Sequence, residues 1–372
     1  MSDDDDPRPG HLAGLARKHA GKQPKPKPLV TRTAHFHGGF VHAPSWLSMA
    51  WAPDGSRLAV GGRAAKGAGL LEIWSPAGHH EGHSVRHLTQ GIAGPVTSLA
   101  WSPDGTGLAL VEQDPDSGQP EVRIRYQDRP GDGRPAGLPA GPPATQVAWS
   151  PDGTLVALSG VGTGTVLLDA AGGGVHRVIH GLSAPVAWSP KGRLIAGTDG
   201  TDGTSVALCD PDIGARVHAL AGCRRSPGAI AWARHGRYLA AADGTDIRVW
   251  DTQAGHQQWT LPWVLDEGDR GPDGSVTSLH WLDGGHYLLE FRRRGAALRD
   301  EQGTTVSLVT LWDTETGRFR FWEKFWETDH YGHHLPIAAL ALTPDGRGMT
   351  HAVDGYAPFS WQINADLPHY LD

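Results

Sequence analysis

The stretch Val96-Thr97-Ser98-Leu99-Ala100-Trp101-Ser102-Pro103-Asp104-Gly105-Thr106-Gly107-Leu108-Ala109-Leu110-Val111 reads as a strand, a tight turn and a returning strand. Successive strand side chains point to opposite faces. This predicts Thr97, Leu99 and Trp101 on one side, with Val96, Ser98 and Ala100 on the other. Ser102-Pro103-Asp104-Gly105 suits a type I turn. Proline presets the second position, Asp tolerates the third, and glycine accepts the dihedral that closes the turn. The phrase returns intact after Trp51 and Trp149, and eroded after Trp188, Trp232 and Trp281. A last copy, Leu342-Thr343-Pro344-Asp345-Gly346, keeps the turn and loses the tryptophan. Seven copies at intervals of 50, 48, 39, 44, 49 and 61 residues make the chain one supersecondary unit repeated.

A third strand follows each turn, clearest as Ile247-Arg248-Val249-Trp250-Asp251 and Val309-Thr310-Leu311-Trp312-Asp313. Small turns such as Thr252-Gln253-Ala254-Gly255 then lead into a fourth strand. Four antiparallel strands per repeat, with Trp-Asp closing the third, resemble the WD-repeat family of β-propellers over roughly residues 30–362. The resemblance implies an all-β fold, a seven-bladed β-propeller of four-stranded antiparallel blades. The Gly-His pair that opens many family repeats is mostly replaced here, as in Gly91-Ile92 and Gly222-Cys223, so blades held mainly by packing are expected. After Trp361 only eleven residues remain, Pro368 among them, too few for a good fourth strand. The strand-like segment Leu29-Val30-Thr31-Arg32-Thr33-Ala34-His35-Phe36 is otherwise unassigned. Propellers of this family often take the outer strand of the last blade from the N-terminus, so a ring closed by an N-terminal strand is expected. Residues 1–28 then form a disordered tail, with an acidic block at Asp3 to Asp6 and a Pro-Lys run at 22–28, and residues 29–372 form the propeller.

The formal charge of −7 and pI near 6.3 argue against a broadly basic, nucleic-acid-binding surface. Arginine outnumbers lysine 26 to 7, the bias of a high-GC bacterial genome. Two cysteines give no disulfide framework, no apolar run approaches membrane-spanning length, and the chain opens on four aspartates instead of a basic, apolar signal. The expectation is a cytoplasmic bacterial protein without membrane insertion.

Catalytic motifs do not assemble. His80-Glu81-Gly82-His83 is one residue short of the zinc-protease signature and sits in a glycine-flanked turn, where no helix aligns two imidazoles. Gly160-Val161-Gly162-Thr163-Gly164-Thr165 runs into a strand, whereas a phosphate cradle needs a helix N-terminus. No cofactor or metal is therefore expected. Trp263 and Trp326 fall outside the repeated slots, in long connections over 262–275 and 326–336, and a third insertion is read at 292–305. Strand direction puts all three at one end of the sixth blade. They carry Trp263, Arg292, Arg293, Arg294, Trp326, His330, Tyr331, His333 and His334, the residue types of protein-interface hot spots. The reading is a non-catalytic protein–protein interaction scaffold in a bacterial multiprotein system, its protein partner unknown. The alternative is a propeller enzyme, or a small-ligand or metal binder, with its site at the top of the central channel.

Overall fold

The computed structural model describes residues 30–35, 45–64, 67–75, 85–88, 92–126, 129–133, 144–161, 164–244, 246–262, 274–282, 285–294, 307–325, 327–328, 334–335, 337–353, 356 and 358–363. Among these residues the strands form seven four-stranded antiparallel sheets and one two-stranded pair. Sheet 1 is Ser45–Trp51, Leu58–Arg63, Gly69–Ser75 and Val85–Leu88. Sheet 2 is Val96–Trp101, Gly107–Gln113, Pro120–Tyr126 and Arg129–Gly133. Sheet 3 is Gln146–Trp149, Leu155–Ser159, Thr165–Asp169 and Val175–Ile179. Sheet 4 is Leu182–Trp188, Ile195–Asp199, Val206–Cys209 and Arg216–Leu220. Sheet 5 is Ala229–Trp232, Tyr238–Asp243, Asp246–Asp251 and His256–Leu261. Sheet 6 is Gly274–Leu282, Tyr287–Arg294, Ser307–Asp313 and Arg318–Phe325. Sheet 7 joins Ile337–Leu342, Gly348–Val353 and Phe359–Ile363 to Val30–His35, from the far end of the chain. That last pairing runs antiparallel from Val30 opposite Ile363 to His35 opposite Phe359.

The Pro-Asp-Gly turns form for the reasons their residues suggest. The closing glycine has φ of +71° at Gly105 and +74° at Gly153, a left-handed conformation that glycine adopts without penalty. Its N–H donates to the carbonyl three residues earlier, Gly105 to Ser102 at 2.9 Å. The turn aspartate accepts the N–H two residues on, Asp104 Oδ1 from Thr106 at 3.0 Å. The Ser102 hydroxyl, followed by the Thr106 N–H, holds the Asp104 carboxyl below its usual range.

Simple alternation along 96–101 needs one correction. A β-bulge between Val96 and Ser98 adds a residue and shifts the phase. Val96 therefore packs with Leu99 and Trp101 between sheets 1 and 2, on the side opposite the one that alternation predicts. The register breaks at the same place in sheets 1, 6 and 7.

No single central core exists among the described residues. Buried apolar side chains fall into seven clusters, one between each consecutive pair of sheets. The seventh joins Ala341 and Ala352 of sheet 7 to Trp46, Met49, Leu58, Val60 and Trp74 of sheet 1. The five junctions from sheet 1 to sheet 6 are each also tied by a first-strand tryptophan. The indole N–H of Trp101 donates to the Ala50 carbonyl at 3.0 Å, and that of Trp149 to Ala100 at 2.9 Å. Trp188, Trp232 and Trp281 repeat the bond to Ala148, Ala187 and Ala231 at 3.1, 3.1 and 3.0 Å. The acceptor is always the alanine preceding the equivalent tryptophan of the previous sheet. The Ala-Trp dipeptide thus has two jobs: a small side chain and a carbonyl for the next indole, and an indole for the last alanine.

Hydrogen bonds add to the packing that holds the sheets. Third-strand tryptophans also donate: Trp74 to Glu72 Oε2 at 3.0 Å, Trp312 to Glu290 Oε2 at 2.9 Å, and Trp361 to His351 Nδ1 at 3.1 Å. Glu72 and Glu290 are fully buried carboxylates, so these bonds satisfy groups that would otherwise be costly to desolvate.

Candidate functional site

The three long connections leave sheet 6 from one edge. Gly274 pairs with Arg294, Arg293 with Ser307, and Ser307 with Phe325. This row of adjacent residues roots the segments 262–273, 295–306 and 326–336 side by side. The last of them contains the two-stranded pair, with Glu327 opposite Leu335 and Thr328 opposite His334.

Of the nine residues expected to bind a partner, Trp263, Trp326, His330, Tyr331 and His333 lie outside the described residues. Arg293 and Arg294 end the second strand of sheet 6 and His334 belongs to the two-stranded pair; the side chains of all three also lie outside the description. Arg292 is corrected. It is a strand residue, 2% exposed, and its Nε donates to Glu290 Oε1 at 2.8 Å. Its guanidinium pairs with a buried carboxylate two residues away on the same face of the strand, instead of facing a partner.

Two cavities border the first strands. One, about 570 Å³, opens at the same end as the three connections. Gln146, Pro185, Ser226, Thr277, Ser278 and His280 are among its lining residues. Gln146 is tied down, its amide donating to the Val186 carbonyl at 3.1 Å and accepting the Val186 N–H at 2.8 Å. Among the described residues of this lining His280 is the only titratable one, so they offer hydrogen bonds and apolar contact. The other cavity, about 470 Å³, lies at the Pro-Asp-Gly end, between sheets 4 and 7.

His280 borders both cavities, and the sequence carried a signal for it that went unread. Sheet 2 begins Val96-Thr97-Ser98-Leu99-Ala100-Trp101 and sheet 6 has Val276-Thr277-Ser278-Leu279-His280-Trp281, identical except for His in the alanine slot. In sheet 2, Ser98 Oγ accepts the Val147 N–H at 3.1 Å, whereas Ser278 Oγ has no hydrogen-bond partner among the described residues. His280 Nε2 has none either, and burial pushes its imidazole down to about 4, leaving it neutral at pH 7.

Among the described residues no group of three or more His, Cys, Asp or Glu could hold a metal ion, and no helix is long and apolar enough to cross a membrane. Cys209 and Cys223 are free thiols, raised to about 11 and 12 chiefly by burial. The chain matches no family model, and no curated protein matches it.

Proposed function

We propose that the seven sheets are the blades of a WD-repeat-type β-propeller, closed into a ring by its N-terminal strand, and that the chain is a non-catalytic platform for protein–protein interaction. The observation that carries the reading is the row of roots on sheet 6, which gathers three long connections at one end of one blade. Their sequences hold Trp263, Trp326, Tyr331 and three histidines, with Arg293 and Arg294 at a root. Aromatic and arginine side chains are the anchors that a tight interface needs. The partner is a protein, and the setting a bacterial cytoplasmic assembly.

Affinity capture from the source cells, followed by mass spectrometry, tests this. Wild type should retain a protein that Trp326→Ala combined with Arg293→Glu loses. Lys191→Glu, at the exposed fourth turn on the opposite end, should retain it. Loss with Lys191→Glu alone would move the interface to the other end. The cavity of about 570 Å³ at the connection-bearing end favours a second reading, a small-ligand binder. That reading gains if a metabolite copurifies with the native protein and is released on denaturation.

A further inference from the structure

We propose that the cavity at the Pro-Asp-Gly end binds a small, flat aromatic ring carrying an N–H donor, of which indole is the simplest, at the junction of sheets 6 and 7. The molecule supplies its own template. At five junctions an indole lies against the preceding sheet with its N–H on a backbone carbonyl, at 2.9 to 3.1 Å. At the sixth junction the acceptor position is His280, and Leu342 stands where the indole should come from. Leucine has neither the ring nor the donor.

A cavity of about 470 Å³ opens at this place, bordered by both His280 and Leu342. Its other walls suit a flat ring: Trp232, Trp281, Pro190 and Pro344 line it, and aromatic and proline faces stack on planar π systems. His280 Nε2 is buried without a hydrogen-bond partner among the described residues. Its imidazole is neutral at pH 7, so no desolvated charge opposes an apolar ligand. The charged residues of the lining, Arg234 and Asp345, are exposed, which places charge at the rim and leaves the wall beside Leu342 uncharged.

Isothermal titration of the full chain with indole and with 1-methylindole tests the assignment. Indole should bind saturably at one site. 1-Methylindole, which keeps the ring and loses the donor, should bind about tenfold more weakly, the worth of one hydrogen bond. Leu342→Trp fills the slot with the protein's own indole and should cut indole affinity by at least about tenfold. Leu342→Phe serves the same purpose, should the larger side chain compromise folding as judged by circular dichroism. No saturable indole binding at millimolar concentration overturns the proposal. So does equal affinity for the two ligands, or undiminished affinity in a folded Leu342 variant.

Discussion

Trp149 shows how much one residue does in this chain. It is 9% exposed, meets Tyr126 edge to face at 6.4 Å between ring centroids, and donates its N–H to Ala100 at 2.9 Å. Trp149→Ala should cost roughly 3–5 kcal/mol as a large-to-small core change. Trp149→Phe keeps most of the ring and should cost about 1 kcal/mol for the lost hydrogen bond. Urea unfolding of the two variants separates packing from the bond, and equal costs would mean that the packing of the ring contributes nothing. Glu290→Gln removes the charge that Arg292 and Trp312 share, and should cost roughly 3 kcal/mol by the same measurement. The tryptophan slots were legible because the phrase around them repeats. Arg292 was not. Its strand reads Glu290-Phe291-Arg292-Arg293-Arg294, a charged run that resembles a loop until the Glu290 partner two residues away is seen.

At the scale of one strand, the first strand of sheet 6 departs from its six counterparts by carrying a histidine in the slot that alanine fills in the others. The unfolded chain's imidazole takes up a proton below its ordinary value of 6.5, which the folded one resists until about pH 4. Stability is therefore independent of this group above pH 6.5 and falls as pH drops toward 4. His280→Ala should flatten that part of the decline, visible as a difference between the two stability-versus-pH curves. Identical slopes would mean that His280 titrates normally and is well solvated. Periodicity gave the strands but not their bulges, since a bulge is set by how the strand seats on its neighbour and leaves no period of its own.

For the whole molecule, the pairing of Val30–His35 with Phe359–Ile363 is the feature to break. Removing residues 1–27, all outside that strand, should leave the melting temperature within a few degrees. Removing residues 1–37 takes the strand away and bares an edge on sheet 7, and should bring aggregation or a large drop in melting temperature. Equal melting temperatures would show that the strand is dispensable. This pairing was legible as a matter of supply and demand, since one repeat lacked a strand and one strand lacked a repeat. The site was less so. Repetition reveals what all copies share, whereas the proposed partner contacts are read where copies differ, in segments such as 262–273 and 326–336 that have no counterpart to compare.

The same pairing sets a clock for biosynthesis. A ribosome makes the strand Val30–His35 before any of the seven sheets and its partner Phe359–Ile363 after nearly all of them. Sheets 1 to 6 take all their strands from neighbouring stretches of chain and can form in order as they emerge. The earliest strand must stay unpaired throughout, so sheet 7 completes last and the slowest contact is the one with the longest span of sequence. An interrupted or prematurely terminated chain would carry an orphan strand and an open edge together, the combination most prone to pair with another copy.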